Sequence, residues 1–417
     1  MSKQIFIIGS GFSSLSAACY LSKNGYKVSV YEKNKNFGGR ARQFETDGFT
    51  FDMGPSWYWM PDVFERFFND FGKKVSDLYE LKKLNPAYRV IFDKNSQFEI
   101  EDNINSIVKL FEKHEKGSGK KLEVFMKEAK DNYDLAVTNM LYKMPGLSPL
   151  ELVNSKTIAK ANLFLTNIKK QIEKRFKNHK LRSILQFPVL FLGAKPSNTP
   201  AFYNFMNYAD FGLGTWQPKN GFFDVVKAMI KVAKENGVKF YNNSNIEKIE
   251  VQNGQVYGIS INNKIHKCDI LISGADYAHT EKLLPKELRQ YSDKYWDTRT
   301  WSPSSLLFYI GLNKKINNLN HHNLFFDTDF DKHADEIYSD PKWPESPLFY
   351  LNITSKTFKH TAPKGHENCF ILIPIATDLE DNENIRNKYF EIVAKRLLLI
   401  TGYDLKKHIV FKKSYCI

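Results

Sequence analysis

Apolar residues near the start of the chain follow the periods of a strand, a helix and a second strand. The β-branched run Gln4–Ile8 is followed by a predicted helix, Ser13–Asn24, and a predicted strand, Lys27–Glu32. Such a unit of about 30 residues is a βαβ motif. Because two strands joined through a helix run in the same direction, the pattern implies a parallel sheet.

Short strands return after Gly237. They are predicted at 239–241, 246–251, 255–261, 269–273, 305–312, 348–353 and 368–375, and a helix is predicted at 383–401. Asn253-Gly254 supplies a hairpin turn between two of them. We therefore predict a β-meander, followed by a strand that rejoins the N-terminal sheet.

Residues 62–180 have a mostly helical pattern. Apolar side chains recur there at spacings of three and four, at Ile158, Ala161, Leu165, Ile168, Ile172 and Phe176, with lysines between them. This spacing predicts one basic amphipathic helix over 155–180. Such a helix suits a membrane surface, although the same stripe also suits a helix packed on the core with its lysines in solvent.

The formal charge of +14 favours a partner of negative charge, either nucleic acid or an anionic membrane, unless the lysines are simply scattered over solvated faces. No nucleic-acid-binding module accompanies the basic residues, so we predict no nucleic-acid partner. The start of the chain lacks a secretory signal pattern, and no apolar run reaches the roughly 18 residues that span a bilayer. We expect a cytoplasmic protein that rests on the inner face of the cell membrane.

The four cysteines, Cys19, Cys268, Cys369 and Cys416, are far apart and form no CxxC pair. This arrangement is typical of thiols in a reducing compartment. It indicates neither a disulfide framework nor a metal site.

The first strand leads into a glycine-rich turn, Gly9-Ser10-Gly11-Phe12-Ser13-Ser14, that opens the first helix. Backbone N–H groups at such a helix start bind a pyrophosphate. Glu32 ends the second strand about twenty residues later, where a carboxylate accepts hydrogen bonds from a ribose hydroxyl. Together they predict a dinucleotide site.

A second glycine element follows the acid. Gly38 and Gly39 permit close approach to a phosphate, and Arg40 adds a guanidinium that forms charge-assisted hydrogen bonds. Another tight turn contains Gly54 and Pro55. This second element is more typical of flavoproteins than of nicotinamide enzymes.

Longer motifs extend the pattern along the chain. They are GSGFSSLSAA, YEKN, GGRARQ and FTFDMGPSWYWMP within residues 5–61, GTWQPKNG at 214–221, SGADYAHT at 273–280 and PKGHE at 363–367. In combination these segments resemble the bacterial phytoene (carotenoid) desaturases of the flavin amine oxidase superfamily. Members of that family continue beyond the position matching Ile417, so we expect this chain to be C-terminally truncated.

The resemblance implies an α/β fold in which a Rossmann-like FAD-binding domain with a β-meander is interleaved with a mixed-sheet substrate domain. The implied domains are 1–60 and 220–285 for FAD, lacking a C-terminal segment, and 61–219 and 286–417 for the substrate, with a helical, membrane-facing subdomain at 100–185. The implied FAD-binding residues are Gly9, Gly11, Ser14, Glu32, Gly39, Arg40, Ala41, Gly54, Pro55, Ile246, Ala275 and Asp276.

The implied reaction is FAD-dependent desaturation of phytoene, an apolar carotenoid precursor, to more conjugated carotenes of the lycopene type. Oxygen or a membrane quinone is the implied electron acceptor. The alternatives are desaturation or isomerisation of another carotenoid, and a non-catalytic fragment that binds FAD or a carotenoid. The sequence does not identify the catalytic proton acceptor; Asp210 and Lys219, which flank the motif at 214–221, are candidates.

Overall fold

The computed structural model describes residues 2–144, 146–153 and 155–416. The helices are α1 (Phe12–Lys23), α2 (Pro61–Asn69), α3 (Ile104–His114), α4 (Ser118–Tyr133), α5 (Ser155–Ile158), α6 (Ala161–Leu165), α7 (Ile168–Arg175), α8 (His179–Gln186), α9 (Phe205–Asn207), α10 (Phe223–Glu235), α11 (Tyr277–Lys282), α12 (Asp293–Asp297), α13 (Phe330–Tyr338) and α14 (Glu383–Thr401). The strands are β1 (Gln4–Ile8), β2 (Lys27–Tyr31), β3 (Gln43–Thr46), β4 (Phe49–Asp52), β5 (Leu81–Lys83), β6 (Tyr88–Asp93), β7 (Ser96–Ile100), β8 (Trp216–Pro218), β9 (Lys239–Tyr241), β10 (Lys248–Gln252), β11 (Gln255–Ile261), β12 (Lys264–Lys267), β13 (Ile270–Ser273), β14 (Ser304–Leu312), β15 (His322–Phe325), β16 (Phe349–Asn352), β17 (Glu367–Ile375) and β18 (Ile409–Tyr415).

A parallel sheet in the order β13-β1-β2-β9 organises the N-terminal part of the fold. Alternate residues of β1 face opposite sides, as the two-residue period of a strand requires. Ile5 and Ile7 pack in a core with residues of α1 and α10. Phe6 and Ile8 pack in another core with residues of the meander β10-β11-β12. The predicted strand is thus part of the parallel sheet. The predicted meander packs on one face of this sheet, and α1 and α10 pack on the other.

Ser14 lies where dinucleotide-binding turns usually carry a third glycine, and the structure shows how this substitution is accommodated. The Ser14 side chain is buried and its hydroxyl donates to the carbonyl of Ile8, at 3.3 Å. Gly274, just beyond β13, faces it: a Cβ built on Gly274 would lie 1.9 Å from Ser14 Oγ. The missing side chain at 274 provides the space that the hydroxyl at 14 occupies.

The second sheet is mixed, in the order β18-β14-β17-β16-β15-β6-β7. On one face, residues of β14 and β17 pack in a core with α14. On the other face, Tyr309, Leu324, Tyr350 and Phe370 join the core that contains residues of the helices within 104–186. The hairpin β6–β7 lies inside residues 62–180, which the sequence predicted to be mostly helical. Its two strands extend this sheet at one edge instead.

The prediction of a single amphipathic helix over 155–180 is wrong. The chain forms the separate helices α5, α6 and α7 there and begins α8. Thr166 is extended, and the side chains of Asn167 and Asn178 accept hydrogen bonds from Lys170 N and Lys180 N, which starts a new helix each time. The apolar stripe divides accordingly, into a buried group, Ile168, Ile172 and Phe176, and an exposed group, Ile158 and Leu165. Within the described ranges, no helix has the length and apolar character needed to cross a bilayer.

Gly274→Ala is expected to destabilise the protein, because the added Cβ would overlap Ser14 Oγ. The backbone at 274 is not left-handed, so the effect is one of overpacking, which costs about 1–3 kcal/mol. Adding Ser14→Gly removes the hydroxyl and should recover most of that loss. Urea unfolding of the two single variants and the double variant measures the coupling. Losses that simply add in the double variant would contradict this contact.

Candidate active site

The turn between β1 and α1 is shaped to receive an anion. Gly9 has a φ of 81°, a left-handed conformation that glycine adopts without strain. Gly11 is the N-cap of α1 and offers no side chain to the first turn. The first N–H groups of a helix have no partner within it and carry the positive end of its dipole. This end of α1 fits a pyrophosphate.

Glu32 holds the neighbouring loops together. Its carboxylate is buried, with Oε2 accepting from Ser10 N at 3.1 Å and Ser10 Oγ at 2.7 Å. Oε1 accepts from Asn34 N at 2.9 Å and Asn34 Nδ2 at 2.6 Å. These four bonds use the acceptor capacity of a carboxylate. A ribose hydroxyl that binds Glu32 must therefore take the place of a Ser10 or Asn34 side-chain group.

The second glycine element packs directly on the first. Gly38 and Gly39 have φ values of 111° and 57°, and a Cβ on Gly39 would lie 3.0 Å from the Cα of Gly11. Ala41 follows and is buried. The two turns predicted to contact the phosphates are thus in van der Waals contact.

Two arginines, Arg40 and Arg42, follow the second glycine turn in the chain. Arg40 is exposed and has no ion-pair or hydrogen-bond partner among the described residues. Arg42 Nε is buried without a partner there, and sequence reasoning missed this residue although it lies in the same GGRAR run. A buried guanidinium nitrogen without an acceptor is costly. The basic groups and the glycine turns together fit the diphosphate of a dinucleotide.

Gly54 connects this region to a cavity. A Cβ at Gly54 would lie 2.1 Å from the carbonyl oxygen of Arg40, so no other residue fits while the two segments stay in contact. Gly54 and Pro55 also line the cavity. The cavity therefore begins where the sequence predicts the flavin ring.

The remaining predicted residues lie around β13 and the meander. Ala275 N is 3.9 Å from a Cβ built on Gly9, so Ala275 lies beside the first glycine turn. Ile246 is buried, and the nearby Ser244 donates its N–H to the carbonyl of Glu32. Asp276 accepts from His279 N at 3.0 Å and caps α11. Ala275 and the 244–246 segment thus adjoin the carboxyl edge of the parallel sheet, whereas the contact of Asp276 is a helix cap.

The cavity has a volume of about 370 Å³, a size typical of small-molecule sites. Its walls are aromatic and aliphatic and include Trp57, Phe187, Leu324, Phe326, Phe349 and Leu372. No Asp, Glu, Lys or Arg is among the described residues that line it. Such a wall binds an apolar molecule by removing it from water, at roughly 25 cal/mol per Å².

Neither sequence candidate for the proton acceptor lines this cavity. Asp210 is buried behind it and accepts from the Tyr88 hydroxyl at 2.7 Å, and burial raises the pKa of this carboxyl to about 8. Lys219 lies at the surface, with Nζ 2.6 Å from Glu80 Oε2. Lys219 is paired, and Asp210 uses Oδ2 for Tyr88 while its Oδ1 has no partner among the described residues. Because neither side chain lines the cavity, the proton acceptor must be sought elsewhere.

His333 lines the cavity but both of its ring nitrogens are occupied. Nδ1 accepts from Leu348 N at 3.0 Å, so Nε2 carries the hydrogen and donates to the carbonyl of Pro374 at 2.9 Å. Burial lowers its pKa to about 4. His333 is therefore a neutral side chain that joins α13 to the sheet.

Comparisons with known proteins agree with this geometry. Residues 12–397 match the family described as flavin containing amine oxidoreductase. A carotenoid 3,4-desaturase from Haloarcula japonica is 38% identical over 418 residues, covering 100% of this chain and 84% of the relative. A zeta-carotene-forming phytoene desaturase from Myxococcus xanthus is 28% identical, covering 94% and 77%. The structure of an oxidoreductase from Methanosarcina mazei matches with a TM-score of 0.66 at 18% identity, covering 99% of this chain and 88% of that one.

These matches confirm three predictions from the sequence. They are the α/β fold, FAD as the cofactor and the resemblance to carotenoid desaturases. The individual FAD-binding residues remain predictions.

Glu32→Gln is expected to weaken FAD binding and to destabilise the cofactor-free protein by about 1–3 kcal/mol, because an amide NH₂ would face the donors of Ser10 or Asn34. Flavin fluorescence titration and thermal unfolding without FAD measure the two effects. Glu250→Gln is the matched control: this buried carboxylate also accepts from a serine, Ser260 at 2.6 Å, but lies in the meander. It should lose stability and keep its FAD affinity. Unchanged FAD affinity in Glu32→Gln would contradict the assignment.

Proposed function

The chain belongs to the flavin-containing amine oxidoreductases, and on that premise we propose that it is a carotenoid desaturase that converts phytoene into more conjugated carotenes of the lycopene type. The observation that carries the proposal is the apolar cavity that starts at Gly54 and Pro55. A hydrocarbon substrate has no polar group to bind, so it must be recognised by shape and burial. A cavity wall without charged side chains meets that requirement.

The chain's own residues would hold FAD beside this cavity. The first turn of α1 and the guanidinium groups of Arg40 and Arg42 suit the diphosphate, and Glu32 suits the adenosine ribose. When bound, FAD supplies a hydride acceptor. The protein orients the substrate chain along the wall and excludes water from it.

A second candidate is desaturation at the 3,4 position of a carotenoid that is already conjugated. The observation in its favour is the 38% identity to a carotenoid 3,4-desaturase, against 28% for the phytoene desaturase from Myxococcus xanthus. In both candidate reactions, two hydrogens leave adjacent carbons of an apolar chain. The two differ in the length of conjugation that the cavity must accept.

Purified protein supplied with FAD and with phytoene in liposomes is expected to show bound flavin and new polyene absorption at longer wavelengths. A parallel incubation with an already conjugated carotenoid tests the second candidate. Lengthened conjugation of that carotenoid alone, with phytoene untouched, would replace the first candidate by the second. Bound flavin with neither substrate changed would refute both.

We further propose that the protein docks on the cytoplasmic face of the cell membrane, where oxygen or a quinone reoxidises the flavin. Membrane docking is needed because a bilayer is as apolar as the cavity, and passage through water would lose the burial energy. The proposed docking surface consists of exposed apolar residues in one segment, called here the 141–165 surface: Leu141, Leu147, Leu150, Val153, Ile158 and Leu165. Exposed lysines, among them Lys143, Lys170 and Lys174, lie in or near it. Such lysines attract anionic headgroups, at about 1 kcal/mol each.

Exchanging Leu147, Leu150 and Leu165 for Glu is expected to reduce flotation with anionic liposomes and turnover of liposomal substrate. The exchange removes three apolar side chains and adds three negative charges, which the anionic headgroups repel. Leu165 is 88% and Leu147 85% exposed, so the fold should tolerate the change. The matched control is the triple exchange Ile265→Glu, Leu399→Glu and Val410→Glu, which also replaces three exposed apolar residues but elsewhere in the chain. FAD content should stay constant in both variants. Equal flotation of the two variants would argue against the 141–165 surface.

A further inference from the structure

A chain of hydrogen bonds leads from the cavity wall into the protein. Ser56 and Tyr350 both line the cavity. The Ser56 hydroxyl lies 3.0 Å from the Tyr350 hydroxyl, which lies 2.6 Å from Nδ1 of His322. All three side chains are buried, and His322 is 0% exposed. The chain starts next to Gly54 and Pro55, the residues at which the flavin ring is predicted.

Asn352 fixes the direction of these bonds. Its Nδ2 donates to the carbonyl of His321 at 3.3 Å, and its Oδ1 accepts from Thr354 Oγ1 at 2.8 Å, which settles the orientation of the amide. The same Nδ2 lies 3.2 Å from His322 Nδ1. Because an amide nitrogen only donates, Nδ1 carries a lone pair and the ring hydrogen is on Nε2. The Tyr350 hydroxyl therefore donates to Nδ1 and accepts from Ser56.

His322 is held neutral and rigid. Burial lowers its pKa well below the ordinary value, with the neighbouring His321 acting in the same direction. The Trp57 ring stacks on it with centroids 4.2 Å apart and planes 14° from parallel. Its Nε2 has no hydrogen-bond partner among the described residues. An unsatisfied buried polar atom calls for a functional reason.

Neither His333 nor Tyr338, the other titratable side chains described in the cavity wall, is hydrogen-bonded to a basic nitrogen. Both nitrogens of His333 bind backbone groups, and Asp210 lies behind the wall, bonded to Tyr88. Tyr338 lines the cavity, and burial raises its pKa to about 12. Tyr350 differs because its hydroxyl is coupled to a basic nitrogen.

We propose that Tyr350 receives the proton that the substrate loses and passes its own proton to Nδ1 of His322. This inference rests on the proposed desaturase function. A hydride leaves one allylic carbon with the electron pair of its C–H bond, and FAD is the oxidant that accepts it. The neighbouring carbon then releases a proton to the Tyr350 oxygen, and the electron pair of that C–H bond becomes the new double bond. The Tyr350 proton moves to His322, so the substrate loses one hydride and one proton, which amounts to two protons and two electrons.

A histidine with a depressed pKa suffices for this step. The species that remains after hydride loss is an allylic cation, and a proton on the carbon beside it is far more acidic than imidazolium. The acceptor therefore needs the right position more than strong basicity. A neutral histidine also avoids an ionised group against an apolar substrate before the reaction begins.

The test uses the FAD-loaded full chain with Tyr350→Phe and His322→Gln. Tyr350→Phe keeps the ring and removes the hydroxyl, whereas His322→Gln keeps an acceptor for the hydroxyl but cannot take up its proton. Both are expected to lower kcat by on the order of 10²-fold or more, with KM and carotenoid affinity little changed. Carotenoid affinity is measured by quenching of tryptophan fluorescence. Wild-type kcat in either variant would overturn the relay while leaving the proposed function in place.

Tyr88→Phe is the matched control, since it also removes a buried tyrosine hydroxyl and packs on Trp57 but does not line the cavity. It should keep wild-type kcat. A second readout, independent of turnover, is ¹⁵N NMR of histidine-labelled protein. His322 is expected as the Nε2–H tautomer, with an Nδ1 signal that shifts in Tyr350→Phe. An Nδ1–H tautomer would overturn the relay, and a wild type that changes no carotenoid would overturn the proposed function together with this inference.

Discussion

The buried carboxylate of Glu32 is the contact on which the cofactor region depends. It takes hydrogen bonds from both sides, from Ser10 in the first glycine turn and from Asn34 in the loop after β2. With those two loops fixed, Gly39 can rest against Gly11, and Gly54 against the Arg40 carbonyl. A Cβ at Gly54 would overlap the Arg40 carbonyl oxygen, and a Cβ at Gly39 would crowd the Cα of Gly11. The glycines follow from where the carboxylate holds the backbone.

The chemical environment changes from polar to apolar across Gly54. On the dinucleotide side of Gly54 lie the N-terminus of α1 and the second glycine turn, which leads into Arg40. On the other side lies a cavity whose described lining carries no such charge. Anions are stabilised by fixed positive dipoles and hydrocarbon by exclusion of water, so the two environments must meet without mixing. The backbone contact between Gly54 and Arg40 is where they meet.

How well the sequence predicted each feature depended on the range of the interactions involved. The glycine turn and the helix Glu383–Thr401 were predicted well because each follows from residues next to one another in the chain. The helix predicted over 155–180 failed because two asparagine caps outweighed the apolar period. Tyr350 and His322 were missed because adjacent strands bring them together, and neither lies in a recognisable motif. Arg42 alone had a local signal, its position two residues after Arg40.

The parallel sheet also determines how much of the chain must be made before its first strand has both neighbours. The first strand of the sheet in sequence pairs with the last one, with Ile5 opposite Ile270 and Gln4 N bonded to Asp269 across 265 residues. At synthesis rates of about 5–20 residues per second, roughly 10–50 s pass between the synthesis of Ile5 and that of Ile270. The newly made N-terminus therefore presents an unpaired β-branched strand edge throughout that interval, and the cofactor cradle closes only after Gly274 has emerged. An unpaired strand edge of this kind is prone to aggregation until its partner strand has been made.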